Sequence, residues 1–277
     1  MVTKLDLQLT DARRLVAYDA GTTGASDELA VIWHHGSPQT GALLEPLVAA
    51  AAARNIRLVS YARPSYGGSS PKRGRDVASA AADVAQVADA LEIDRFGVMG
   101  ASGGGPHALA CAAFLPDRVI GAVALASPAP FTDSFDWYAG MASPDALRAA
   151  VSGREARERY AETDEFDPNS FTSADWAALA GTWASLGRDA EQAGKEGPEG
   201  QVDDDLAFAS PWGFDVATIS VHVLLVQGGV DRVIPPSHAD ALLRAIPTAE
   251  LWSRPRDGHV SVLGACPVGM DWLRDLG

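Results

Sequence analysis

The chain has 277 residues, 47% of them hydrophobic, and a formal net charge of −14. This length and apolar content suit one large α/β unit with a substantial core, and the acidic balance disfavours nucleic acid or an anionic membrane as a partner. The two cysteines give no disulfide framework, the first ten residues lack an apolar signal core, and no apolar run is long enough to span a bilayer. We therefore expect a protein of the reducing cytoplasm.

Short apolar runs alternate along the chain with segments of helical periodicity. Strands are predicted at residues 4–10, 13–19, 29–34, 57–62, 96–101, 119–126, 221–227 and 249–253. Helices are predicted at residues 39–53, 77–92, 104–115, 236–245 and 261–275. This alternation predicts a mostly parallel eight-stranded sheet with helices on both faces.

A serine in a glycine-rich turn is the first candidate for chemistry. Residues 100–104 read Gly-Ala-Ser-Gly-Gly, between an apolar run and a helical one, which is the strand, sharp turn and helix context of a G-x-S-x-G motif. Gly100 and Gly104 leave room for the backbone around a strained Ser102. The N–H of Gly103 is then available to a developing oxyanion. A glycine-rich turn with a bystander serine remains the alternative for this motif alone.

A serine nucleophile needs a base and a group that orients the base. Asp231 follows the strongly apolar run 221–226, and His259 follows the last predicted strand. Loops at the carboxyl edge of a parallel sheet converge on one crevice, which brings these residues together. Two other acids are open for the orienting role: Asp133 follows the sixth predicted strand, and Asp257 lies two residues before the histidine. His238, in contrast, is predicted on a surface helix.

Several segments together resemble the α/β-hydrolase superfamily of esterase-like enzymes: residues 35–38, 100–104, 228–235 and 257–259. The resemblance covers residues 10–130 and 215–277. It implies that the first strand pair is antiparallel, that Ser37 supplies a second oxyanion N–H, and that His35 braces the oxyanion loop. Residues 61–69 look like the family's loop after the fourth strand, but Tyr-Ala and a serine replace parts of the usual Asp-Arg-Pro-Gly.

Residues 131–212 form a different kind of sequence, with 17 acidic and 6 basic residues. We interpret this segment as a mainly helical cap, or lid, inserted into a hydrolase core made of residues 1–130 and 213–277. Within it we predict helical stretches near 144–161 and 173–190, and we expect its acidic patches to solvate the outer face, at 162–167 and 203–205.

The expected reaction is acyl transfer from a small hydrophobic ester or lactone to water. Ser102 attacks, His259 moves the proton, Asp231 supports the imidazolium, and Ser37 and Gly103 hold the oxyanion. No metal or other cofactor is expected, because the adjacent histidines 34 and 35 have no cluster of further ligands. Peptidase, C–C bond hydrolase and cofactor-free peroxidase chemistry, or a non-catalytic binding role, remain alternatives. Candidates for the substrate pocket are His35, Phe131, Trp137, Tyr138 and Trp212.

Overall fold

The computed structural model describes residues 2–22, 24 and 28–277. These residues contain an eight-stranded sheet with the order β1-β2-β4-β3-β5-β6-β7-β8. The strands are Thr3–Gln8 (β1), Arg14–Asp19 (β2), Leu29–His34 (β3), Ile56–Tyr61 (β4), Phe96–Ala101 (β5), Val119–Leu125 (β6), Val223–Gly228 (β7) and Ala249–Arg254 (β8). Strand β2 is antiparallel to β1 and β4, and the other neighbouring pairs are parallel. The predicted fold class and the antiparallel first pair are thereby confirmed.

Helices cover both faces of the sheet. The helices that pack on it are Glu45–Ala52 (α1), Ser79–Ala90 (α2), Gly105–Phe114 (α3), Pro236–Ala245 (α9) and Cys266–Leu276 (α10). Side chains of a strand alternate between faces, so on β3 the side chain of Ile32 joins one core cluster with α2 and α3, and those of Val31 and Trp33 join another with α1 and α10. This burial on both sides explains why the central strands are continuous apolar runs.

Helix α1 begins six residues later than predicted, because the residues before it make tertiary contacts. The side chain of Gln39 accepts a hydrogen bond from Gly36 N at 2.5 Å, and Thr40 N donates to Asp189 Oδ2 at 3.1 Å. Gly41 has φ +90°, and a Cβ there would lie 2.4 Å from the Cα of Ala62. The predicted start at residue 39 was therefore wrong.

Five helices lie between β6 and β7, and we call residues 131–212 the helical insert. Its helices are Asp145–Val151 (α4), Arg154–Ala161 (α5), Ser173–Ala180 (α6), Ala184–Glu196 (α7) and Glu199–Phe208 (α8). Gly153, with φ +97°, separates α4 from α5, and a capping box between Thr172 and Asp175 begins α6. Helix α8, which the sequence did not predict, packs against α4 and α5. No helix in the described part of the chain has both the length and the apolar character that crossing a membrane requires.

The acidic triplet 203–205 does not solvate an outer face, and that expectation was wrong. Asp203, Asp204 and Asp205 are all buried, because arginine side chains provide partners for them inside the protein. Asp203 pairs with Arg154, and Asp205 accepts a hydrogen bond from Arg157 Nε at 2.7 Å. By contrast, residues 162–166 are exposed, as expected of a solvated acidic run.

Candidate active site

Ser102 lies at the sharp turn between β5 and α3. Its φ of +52° falls in the left-handed region, a conformation that is costly for a residue with a side chain. The turn is tight: a Cβ on Gly100 would lie 2.3 Å from Gly104 O, and one on Gly104 would lie 2.0 Å from His34 O. The expected strain at the serine is therefore present. Among the described residues, the Ser102 hydroxyl has no hydrogen-bond partner, His259 included, and the residue is half-buried.

His259 and Asp231 meet at the carboxyl edge of the sheet. His259 Nδ1 lies 2.8 Å from Asp231 Oδ2, and the other carboxylate oxygen accepts backbone N–H groups from residues 233 and 234 at 2.8 and 3.0 Å. Asp133 is exposed, and the carboxylate of Asp257 binds Arg254 instead. Of the three acids that the sequence left open, Asp231 is the one paired with the histidine.

The surroundings of His259 favour its protonated form. Burial lowers the pKa of the imidazole, but the negative charge and hydrogen bond of Asp231 raise it by more, and the charge of Asp175 adds to this, so the net pKa is above the ordinary 6.5. The ring must lose its proton before it can act as a base. Any reaction that uses it this way will therefore favour higher pH.

Ser37 and Gly103 lie side by side. A Cβ on Gly103 would be 2.4 Å from Ser37 Oγ and 3.2 Å from the ring of Phe208. The ring of His107 holds this position, because its Nδ1 donates to Gly103 O at 2.8 Å. Gly103 is in the first turn after β5, where backbone N–H groups have no helical partner. This placement brings together the two residues predicted to bind an oxyanion.

The structure places His35 beside the loop at residues 36–38, which was predicted to bind an oxyanion. Its Nδ1 donates to Gly36 O at 2.7 Å, and its Nε2 accepts from Arg63 N at 3.1 Å. Burial, helped by the nearby charge of Arg63, holds the pKa of His35 well below 6.5, so the ring is neutral. Both ring nitrogens are therefore engaged within the protein, and neither remains for a substrate.

Comparison with known proteins is consistent with this arrangement. Residues 31–269 match the sequence profile of the alpha/beta hydrolase family. The chain belongs to the alpha/beta hydrolase family. Similar solved structures include a thermophilic esterase from Thermogutta terrifontis (21% identity, TM-score 0.72, 99% of each chain). An enol-lactonase from Burkholderia xenovorans has 19% identity and a TM-score of 0.74 over 98% of this chain and 99% of that one.

A bromoperoxidase from Bacillus anthracis is also similar, with 21% identity and a TM-score of 0.73 over 97% of this chain and 96% of that one. These structures carry different activities on one architecture. At this level of identity they establish the fold of the hydrolase, and its chemistry must be argued from its own residues.

In this alpha/beta hydrolase, one buried carboxylate of the insert lies against the loop that contains Ser37. Asp204 accepts hydrogen bonds from Arg63 and Arg75, each at 2.6 Å, from the hydroxyl of Tyr66 at 2.9 Å, and from Ser37 Oγ. Burial raises the pKa of Asp204, but the two guanidinium charges lower it by more. The net pKa is well below the ordinary 3.8. The carboxylate is therefore ionised and fully paired.

This charged cluster was missed at the sequence level. Arg63 was seen only as part of the loop at 61–69, and Asp204 as part of an acidic patch. One signal was available in the sequence. The acidic triplet 203–205 lies between Val202 and the apolar residues 206–208, and this mixture is more typical of a buried helix with paired charges than of a solvent-exposed helix.

Of the aromatic residues predicted to line a substrate pocket, Phe131, Trp137 and Tyr138 pack with each other, whereas Trp212 packs against Phe214. Trp137 is buried and donates its indole N–H to Ala129 O at 2.8 Å, and Phe131 and Tyr138 lie against its ring. Trp212 is also buried, with its indole N–H 3.4 Å from Phe208 O. A cavity of about 510 Å³ is lined in part by Phe131 and Trp212, but not by the candidate triad.

His238 is buried, so its predicted position on a surface helix was wrong. Its Nδ1 accepts from Ala129 N at 3.1 Å, and its Nε2 donates to Trp137 O at 2.9 Å. Burial lowers the pKa of this imidazole to about 4. The ring links α9 to the start of the insert by two hydrogen bonds. Both ring nitrogens are used in these bonds, so neither can accept a proton from Ser102.

Proposed function

We propose that the chain is a serine hydrolase that cleaves a small, hydrophobic carboxylic ester or lactone through an acyl-enzyme. One observation supports this most: the 2.8 Å contact between His259 and Asp231 at the same sheet edge as a serine held at φ +52°. A base oriented by a buried carboxylate and a serine on a strained turn are the parts that nucleophilic acyl transfer requires.

In the proposed reaction, Ser102 attacks the carbonyl carbon while His259 accepts its proton. Asp231 holds the ring through Nδ1 and supports the imidazolium that forms. The backbone N–H groups of Ser37 and Gly103 bind the oxyanion, and removal of one such donor typically costs about 10²–10³-fold in kcat. The imidazolium then protonates the leaving group, and water repeats the sequence to release the acid. No metal or other cofactor takes part in these steps.

The helical insert is proposed to act as the cap over this site, with residues 1–130 and 213–277 as the core. Carboxylates of Asp189, Asp204 and Asp175 bind loops of the core at Thr40, Ser37 and the segment after His259, respectively, which is the contact pattern expected of a cap. A small molecule is the proposed partner, without nucleic acid or membrane, and the acidic chain is proposed to work in the cytoplasm.

A fluorophosphonate probe tests the nucleophile. We expect one adduct per chain on the peptide that contains Ser102, and Ser102→Ala should lose the label and at least about 10⁴-fold in turnover. Ser134→Ala is the matched control, because this exposed serine bonds only within its own loop, and it should label normally. An adduct on a different serine, or none, contradicts the proposal.

A substrate panel then separates ester chemistry from the alternatives on the same triad. Chromogenic esters of increasing acyl length, a lactone, a peptide amide, a vinylogous diketone for C–C cleavage and a peroxide with halide are compared under one condition. Faster turnover of a short hydrophobic ester or lactone than of the other classes supports the proposed function. If the folded protein is labelled at Ser102 but prefers a peptide or a diketone, the proposed substrate class is wrong and the serine mechanism stands.

A further inference from the structure

Asp175, in helix α6 of the insert, is bonded to the loop that carries His259. Its carboxylate is buried, and Oδ1 accepts three hydrogen bonds: from Val260 N at 2.8 Å, from Ser261 N at 2.8 Å and from Ser261 Oγ at 2.9 Å. Its other oxygen accepts from the backbone and the hydroxyl of Thr172, both at 2.8 Å. A residue of the insert thus holds the two residues that follow the histidine.

The residue before the histidine is fitted to the same carboxylate. A Cβ on Gly258 would lie 2.1 Å from Asp175 Oδ2, so only glycine allows this close approach. Gly258 N also donates to Ser261 Oγ at 2.8 Å, and that hydroxyl in turn donates to Asp175. The backbone on both sides of His259 is therefore folded around one side chain from the insert.

Capping α6 does not explain this arrangement. The capping box uses only the Oδ2 contacts with Thr172, whereas the whole of Oδ1 is directed to the histidine loop. A carboxylate is required, because it accepts at both oxygens. An asparagine could accept at one end only, and its NH₂ group would then face donors at the other end.

From these contacts we infer that Asp175 is a positioning residue for His259, through which the insert fixes the ring against Asp231. This inference rests on the proposed role of His259 as the base. The charge of Asp175 supports the same role as its hydrogen bonds, because the carboxylates of Asp231 and Asp175 both raise the pKa of His259. The insert thereby helps to complete the reactive site as well as covering it.

The central experiment compares Asp175→Asn with Thr172→Ala. Asp175→Asn loosens the histidine loop and removes a charge, so we expect kcat on a chromogenic ester to fall by about 10–100-fold with KM changed by less than about twofold. We also expect the acid limb of the kcat/KM profile to move to lower pH. Thr172→Ala removes the two side-chain hydrogen bonds that Thr172 makes with Asp175. It leaves the Oδ1 bonds to the histidine loop in place, so it should lower Tm and leave the profile in place.

A second variant covers the case in which Asp175→Asn does not fold. Gly258→Ala inserts a Cβ between the loop and the carboxylate without removing the charge, and it should reduce kcat in the same way. Equal losses in Asp175→Asn and Thr172→Ala would show that Asp175 only caps its helix, and wild-type kcat in both Asp175→Asn and Gly258→Ala would overturn the inference.

An NMR titration of the histidine rings makes the test independent of turnover. The His259 signal is assigned by its absence in His259→Gln, and Asp175→Asn should lower its pKa while Thr172→Ala leaves it within about 0.2 of wild type. If Ser102 proves unreactive while this pKa still moves, the proposed function fails and the contact between insert and histidine stands. An unmoved pKa in Asp175→Asn rejects the contact itself, whatever the activity.

Discussion

Replacing Asp204 by asparagine leaves two buried arginines without their anion. The side chains of Arg63 and Arg75 are 1% and 2% exposed, and that of Asp204 is 0% exposed, so water cannot take over the pairing. Removing one partner of a buried ion pair costs about 3–5 kcal/mol. Arg63 keeps hydrogen bonds to the carbonyls of His35 and Gly36. Among the described residues, the side chain of Arg75 keeps only a 3.4 Å contact with Gly200 O.

We therefore expect Asp204→Asn to lose about 4 kcal/mol, mostly through the unpaired charge of Arg75. This is a large part of the roughly 5–15 kcal/mol that stabilises a typical domain. The assay is urea unfolding at neutral pH, with wild type and variant fitted to a common slope. Glu155→Gln is the control: its side chain is 89% exposed and pairs with Arg159 on the surface, and its loss should stay within about 0.5 kcal/mol.

The same difference should depend on pH in one direction. The folded-state pKa of Asp204 is lowered well below the ordinary 3.8. Ionised Asp204 therefore stabilises the fold fully above pH 3.8, and this stabilisation is lost as the pH falls through the folded-state pKa. The gap between wild type and Asp204→Asn should hold from about pH 7 to 5 and shrink only below 3.8. A gap under about 1 kcal/mol at neutral pH would refute the view that the cluster is a buried, charge-dependent anchor.

Three further outcomes follow from the site. Asp231→Asn should lower kcat by about 10⁴-fold, while Asp133→Asn and Asp257→Asn stay near wild type, compared on one ester; a crippled Asp133→Asn would reassign the acid. The kcat/KM of the wild type should rise with pH through an apparent pKa above 6.5, because the pKa of His259 is raised. EDTA should leave kcat/KM unchanged; activity that is lost with EDTA and restored by zinc would exclude the triad mechanism. Trp137→Ala should cost about 3–5 kcal/mol in urea unfolding, because the indole is buried and bonded; a shift in acyl-chain preference without that loss would place the ring at the substrate.

Much of the fold could be predicted, because the relevant patterns are local. A buried parallel strand is a short apolar run with turn residues at its ends, and all eight strands were placed within about two residues of their observed bounds. The turn at Ser102 was also predictable, because the need for Gly100 is local: a Cβ there would meet Gly104 O, four residues away. The choice of Asp231 needed only its place after β7.

What could not be predicted depends on contacts between distant segments. Helix α1 begins at Glu45 because Thr40 binds Asp189, 149 residues away. Helix α8 was missed because its acidic triplet indicates solvent exposure until its arginine partners are known. The burial of His238 likewise follows from acceptors and donors in the segment at residues 129–137, and nothing in its own helix indicates them.

The acids by which the helical insert binds other loops limit how freely this part of the chain can be exchanged. Asp175, Asp189 and Asp204 each bind a different loop of the sheet domain, the part of the chain outside the insert. A chimera that received its insert from a relative without these acids would retain Arg63 and Arg75 with no counter-charge. Grafting between members of this fold would therefore have to carry both halves of every such pair, the acid in the insert and its donors in the sheet domain.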